Sequence, residues 1–282
     1  MPSGYRRRDP WFVTALIYVV LIVASAVALY PVLTIIGISL RPGNMLHALS
    51  LRIIPENATL DSYRQLFTSQ PFLRWMLNST IVSLMVTILG VSLASTAGYA
   101  FSRFRFPGHT AGMIALITTQ MFPVTMLLLP LYIMLIKLHL FDSFIGLVIA
   151  YSATALPFCV WQMKGYYDTI PFSLEEAAWI DGASQFRTFQ EIVLPLAAPA
   201  LVITALFSFM AAWSEYLVAA VVLHDKMLYT LPLGLKQFQS NFDTQWGLYA
   251  AGAVVVSIPV VIVFLLLSRW LVSGLTLGSV KG

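Results

Sequence analysis

The sequence predicts an all-α membrane protein of about six transmembrane helices. Three observations lead there. Of 282 residues, 59% are hydrophobic and only 10% are charged, whereas soluble domains carry roughly 25% charged residues. Mean hydropathy is +0.83. Apolar runs long enough to span hydrocarbon recur along the chain, and they are continuous rather than alternating, which excludes a β-barrel.

The first run covers 11–40, behind Arg6, Arg7 and Arg8. A signal peptide also opens with basic residues, but this run is about twice as long as a signal's apolar core, so it reads as a retained span. Residues 41–71 form a loop, with a turn at Arg41-Pro-Gly-Asn44 and a short helix starting near Asp61. Further spans are expected at 77–101, 111–136, 145–163, 198–223 and 248–270. Pro31, Pro123, Pro130, Pro157 and Pro259 fall inside these runs, where each frees a carbonyl and kinks a helix. The basic flank before the first span and the basic turn FSRFRFPG at 101–108 place both termini in the cytoplasm. The chain thus divides into a cytoplasmic N-terminus (1–10), a transmembrane domain (11–273) with an external loop (41–71), and a cytoplasmic tail (274–282).

Composition also excludes several functions. The net charge of +4 comes without a dense basic stripe, which suits lipid headgroups and not nucleic acid. Cys159 is the single cysteine, so no intrachain disulfide forms. His47, His109, His139 and His224 are scattered, and no metal site is expected. The chain has no GxxxxGKS/T loop and no cofactor of its own is expected.

One stretch departs from the apolar background. Residues 175–195 read EEAAWIDGASQFRTFQEIVLP and hold four of the twelve acidic residues. Ser173 with Glu176 forms a potential capping box. Gly182 is placed to end the first helix in a left-handed conformation. Ser184 can cap a second helix carrying Phe186, Phe189, Ile192 and Val193 on one face. The loop 171–195 therefore reads as a compact helix–glycine–helix. Its acidic character favours a protein partner over a lipid surface.

Glu176-Ala177-Ala178, then Gly182, then Ile192-Val193-Leu194-Pro195 resembles the EAA loop of bacterial ABC-importer permeases in residue type and spacing. The tail 274–282 (GLTLGSVKG) and the turn 100–108 are similar to those of carbohydrate-uptake permeases. Ser39-Leu-Arg-Pro-Gly-Asn44 and Gln120-Met-Phe-Pro123 look most like the MalG-type subunit of maltose and maltodextrin importers. The resemblance covers essentially the whole chain and implies the ABC type I importer fold. It implies that 171–195 is a coupling helix docking on a separate ATPase, which binds ATP and magnesium. The implied partners are a second permease forming a heterodimer, two copies of the ATP-binding subunit, an extracytoplasmic sugar-binding protein and membrane lipid. Glu176, Ala177, Ala178, Asp181, Gly182, Arg187 and Pro195 would be the coupling residues, with Asp181 and Arg187 as ion-pair partners across the interface. The outer segment 223–246, with Asp225, Lys226 and Asp243, would face the binding protein.

Many sugar permeases carry Trp-Asn-Asp or Trp-Asn-Glu in the fifth span, where this chain has Trp213-Ser214-Glu215. A carboxylate inside a span costs a few kcal/mol unless it faces a cavity or partner. Glu215 therefore either touches sugar, with Trp213 and Tyr216 as stacking faces, or makes a structural link. Gln120 is a second polar candidate for the pathway. The rival reading is a secondary transporter or channel using Glu215, and the chain has no other deeply placed acid to support it.

Overall fold

The computed structural model describes residues 10–43, 54–240 and 243–277, with side chains to Ser268. Arg6 to Arg8, Asn44, His47 and 278–282 lie outside the described residues. All regular structure among the described residues is helical. The chain divides into two units, 1–70 with 238–255, and 71–237 with 256–282.

In the first unit, α1 (Trp11–Ser39) is uniformly apolar, and only Gly37 and Ser39 on it are buried. Such a surface belongs against lipid or another chain. The short α2 (Asp61–Ser69) starts where Asp61 marked it, with Asp61 N donating to Thr59 Oγ1. Ser39 Oγ and Tyr63 OH share a hydrogen bond of 2.8 Å.

The second unit is built around α3 (Phe72–Arg103), which packs on α6 (Phe144–Tyr167) and α10 (Ala198–Ser214). Lipid tails are as apolar as leucine, so helices here associate through close packing of small residues. The contact faces follow that rule: Ser79, Ser83, Gly90, Ala94 and Gly98 on α3 are buried, as are Ala200, Thr204, Ser208 and Ala212 on α10. At Gly98 a Cβ would stand 2.8 Å from Met163 Cβ and 3.0 Å from Lys164 N, so any larger residue pushes α3 off α6.

The third apolar run is broken. It forms α4 (His109–Thr119) and α5 (Val124–Lys137), bent by 105° at Pro123. Pro130, Pro157 and Pro259 stay inside their helices. α7 (Ser173–Ile180), α8 (Gln185–Thr188), a π-helical turn (Phe189–Val193) and α9 (Leu194–Leu196) follow α6. The 185–196 arm meets α10 at 77°. The fifth run stops at Ser214, restarts as α11 (Leu217–Val222), and leads through a 3-10 turn (Lys226–Leu228) to α12 (Leu231–Lys236). The last helix, α13, spans Trp246–Leu277. Among the described residues, four helices are long and apolar enough to cross a membrane alone, and the number rises to as many as six where each bent pair is counted as one span.

Candidate functional site

The 171–195 loop is anchored at its base. Glu175 is fully buried and accepts hydrogen bonds from Tyr99 OH (2.6 Å) and from Arg103 Nε, both on α3. Arg103 Nη2 also donates to Ile170 O (2.9 Å), and its guanidinium lies over the Phe172 ring. The carboxylate and guanidinium are both withdrawn from water, and each satisfies the other. Tyr99 also packs against Phe189, with centroids 4.6 Å apart, and edge-on against Tyr167. The loop is therefore joined to α3 by one ion pair and one aromatic cluster.

The turn is closed by Gly182 at φ +86°. Its N–H donates to Trp179 O (3.0 Å), and Ala183 N donates to Ala178 O (2.9 Å). This pair of bonds is the Schellman termination, satisfying carbonyls that the end of α7 would leave bare. Ser184 Oγ accepts from Arg187 N and caps α8, as the sequence indicated.

Two expectations need correction. No capping box forms: α7 begins at Ser173 with Phe172 at the N-cap position and no side-chain cap. Glu175 is turned inward to Arg103 instead, so the start of α7 is organised by a tertiary contact. The second helix does not bury one continuous face either. Its π-helical turn rotates the register, so Phe189 and Val193 are buried while Phe186 stays 67% exposed. Of the other expected residues, Glu176, Ala177, Asp181, Gly182 and Pro195 are exposed, and Ala178 faces the core. Arg187 pairs with Glu191 one turn on, an exposed pair of little energetic weight. Ile180, at 86% exposure, is the other large apolar side chain left bare beside the turn.

The pathway candidates do not converge on one cavity. Gln120 sits at the α4–α5 elbow, where its Nε2 donates to Thr154 O (3.0 Å). It lines a cavity with Thr119, Phe122, Leu127, Thr154 and Val218. Trp213 is a core residue, stacked on Phe209 and donating to Val256 O (3.2 Å). Its rings have no free face for a sugar. Tyr216 packs half-buried on the core. Glu215 occupies the break between α10 and α11, and its carboxylate accepts from Val218 N (3.0 Å) and Ala219 N (3.3 Å). It caps α11, whose residue Val218 forms one wall of the Gln120 cavity.

This geometry gives a test of Glu215. Glu215→Ala leaves the buried Val218 and Ala219 amides without an acceptor, costing about 1–3 kcal/mol. Glu215→Gln keeps an acceptor oxygen, so its thermal melt and sugar uptake should stay near wild type. An ion-coupling carboxylate would lose uptake with either change.

Glu175 was missed by sequence reasoning, which favoured its neighbour Glu176. The only available signal was the acidic doublet, with Ala178 three residues further on the same helix face as Glu175.

Residues 87–276 match the family described as binding-protein-dependent transport system inner membrane component. The chain is 38% identical to the maltose/maltodextrin transport system permease protein MalG of Escherichia coli K12, covering 94% of this chain and 95% of the relative. It is 36% identical to the maltodextrin transport system permease protein MdxG of Bacillus subtilis 168, again over 94% and 95%. In structure it is similar to a chain of a bacterial ABC transporter that imports the acidic polysaccharide alginate. The TM-score is 0.79 at 22% identity, covering 96% of this chain and all of the other. A second chain, from an alginate transporter in complex with its pentasaccharide-bound periplasmic protein, gives 0.71 at 12% identity.

Proposed function

The chain belongs to the family of binding-protein-dependent transport system inner membrane components, and from that premise we propose that it takes maltodextrin-class oligosaccharides across the membrane. It is a non-catalytic permease subunit of an ABC sugar importer. It forms the pathway as a heterodimer with a second permease, above two copies of an ATPase that bind ATP and magnesium. An extracytoplasmic binding protein delivers sugar to the 223–246 side. Both termini and the 171–195 loop face the cytoplasm, and 41–71 faces outward. Closure of the ATPase pair on nucleotide pushes the loop and rocks the two permeases between inward- and outward-open packings.

The observation that carries this reading is the loop's two-sidedness. Its base is fixed to α3 through Glu175, while Glu176, Ala177, Ile180, Asp181, Gly182, Phe186 and Arg187 are left bare. A bare apolar pair on a rigid mount suits insertion into a cleft on another protein. Pro195 lies where the loop turns back toward α10, and Gln120 would contribute to the pathway from its cavity at the α4–α5 elbow.

The test is reconstitution of the complex with both permeases, the ATPase and the binding protein. Sugar uptake should require ATP and binding protein together. Phe186→Asp should leave insertion intact and weaken ATPase association. Burying that ring contributes about 1.5–3 kcal/mol, so the loss should be roughly tenfold to a hundredfold. Undiminished ATPase co-purification with Phe186→Asp would remove the loop from the interface.

A further inference from the structure

The α3 helix is fastened at both ends, and the far fastening lies away from the 171–195 loop. At the end opposite Arg103, Trp75 Nε1 donates to Lys226 O (2.9 Å). Asn78 Nδ2 donates to Met227 O (2.8 Å) and Tyr229 O (2.9 Å). Leu231 N donates to Ser79 Oγ (2.7 Å). All three side chains are buried, at 0%, 1% and 2% exposure. Lys226 Nζ also stands over the Trp75 ring. Thus residues 226–231 are held in place largely by α3 side chains.

The α3 helix that carries both fastenings runs unbroken for 32 residues, about 48 Å at 1.5 Å per residue. It contains no proline, unlike α1, α5, α6 and α13, which carry Pro31, Pro130, Pro157 and Pro259 in their interiors. Helices bend at prolines, so α3 is built to move as one piece.

We propose that α3 is a rigid strut joining the ATPase-facing loop to the 226–231 segment on the opposite membrane face, and that the Trp75–Asn78–Ser79 clamp stays closed throughout transport. Trp75, Asn78 and Ser79 are positioning residues in this scheme. The proposal rests on the reading of 171–195 as the loop that receives the ATPase's push. Coupling is reciprocal, so binding-protein docking on the outer side reaches the ATPase through the same strut.

The experiment uses the full reconstituted complex in a Cys159→Ser background, with Asn78→Cys and Tyr229→Cys. Binding-protein stimulation of ATP hydrolysis is read before cross-linking, after a short thiol-cleavable bridge is installed, and after reduction. Unbridged, the clamp has lost both Asn78 bonds, and stimulation should fall at least about fivefold. Bridging should restore it, and reduction should remove it again. Full stimulation without the bridge overturns the strut, because the clamp would then be mere packing. Loss of stimulation on bridging also overturns it, because the clamp would have to open in the cycle. Should the cysteine pair fail to assemble, Trp75→Phe removes one clamp donor and keeps a smaller aromatic ring in its place. An unchanged stimulation there is equally fatal. The unmodified complex separates the two readings: no binding-protein-dependent uptake in it defeats the permease reading, whereas normal uptake with an indifferent bridge defeats the strut alone.

Discussion

Glu175→Ala should abolish coupled transport while Glu176→Ala, one residue away, only weakens it. The first change strands the Arg103 guanidinium in a site where its side chain is 8% exposed. Removing one partner of a buried pair typically costs about 3–5 kcal/mol, because the remaining charge is uncompensated. Tyr99 OH loses its acceptor as well. The loop then keeps its contacts through Phe189 and loses its polar tie to α3. Uptake and binding-protein-stimulated ATP hydrolysis should collapse together, and the melting temperature of the purified chain should fall. Replacing both partners, as Arg103→Met with Glu175→Leu, removes the stranded charge and should recover the melt. Coupling should stay impaired, since the directional bonds to the loop are gone. A Glu175→Ala protein with wild-type melting and wild-type stimulation would show that the loop is held by the aromatic cluster alone.

The contrast between those two glutamates also shows where sequence reasoning reaches and where it stops. Local signals were legible. Continuous apolar runs marked the spans, Asp61 marked α2, Gly182 marked the turn and Ser184 marked the start of α8, because each depends on a few adjacent residues. The choice of Glu175 over Glu176 depends on Arg103, 72 residues earlier in the chain. No pattern within either segment contains that pairing. Adjacent residues on a helix point about 100° apart, so an acidic doublet places one carboxylate inward and the other outward without saying which. The break at Glu215 was hidden for a related reason. It carries no proline or glycine, and the run from 198 to 223 reads as one span. Glu215 was conspicuous as a charge among apolar residues, and its use as a cap for α11 follows only once the backbone is known to break there. Prolines differ in their effect on the chain. Pro123 sits at a 105° elbow, whereas Pro130, Pro157 and Pro259 lie inside helices that continue through them.

Gly182 offers the sharpest separation of backbone conformation from surface contact. Its φ of +86° is left-handed, and nothing lies within 4 Å of where a Cβ would stand. Side-chain bulk is therefore irrelevant within this chain, and substitution should be graded by backbone preference alone. Asparagine visits the left-handed region most readily after glycine and should couple nearly as well as wild type. Alanine should cost about 1–2 kcal/mol. Proline fixes φ near −65° and has no N–H for Trp179 O, so both Schellman bonds are disrupted. Gly182→Pro should insert in the membrane normally, since the spans are untouched, yet fail to couple ATP hydrolysis to uptake. The measurement is binding-protein-stimulated hydrolysis across Gly, Asn, Ala and Pro at this one position. A fall in that order ties coupling to the geometry of the turn. Equal losses for Asn and Ala would instead mean that the partner ATPase presses directly on Gly182 and tolerates no side chain there. A Gly182→Pro complex that couples normally would show that α7 and α8 need no fixed angle, and the loop would lose its standing as the element that receives the push.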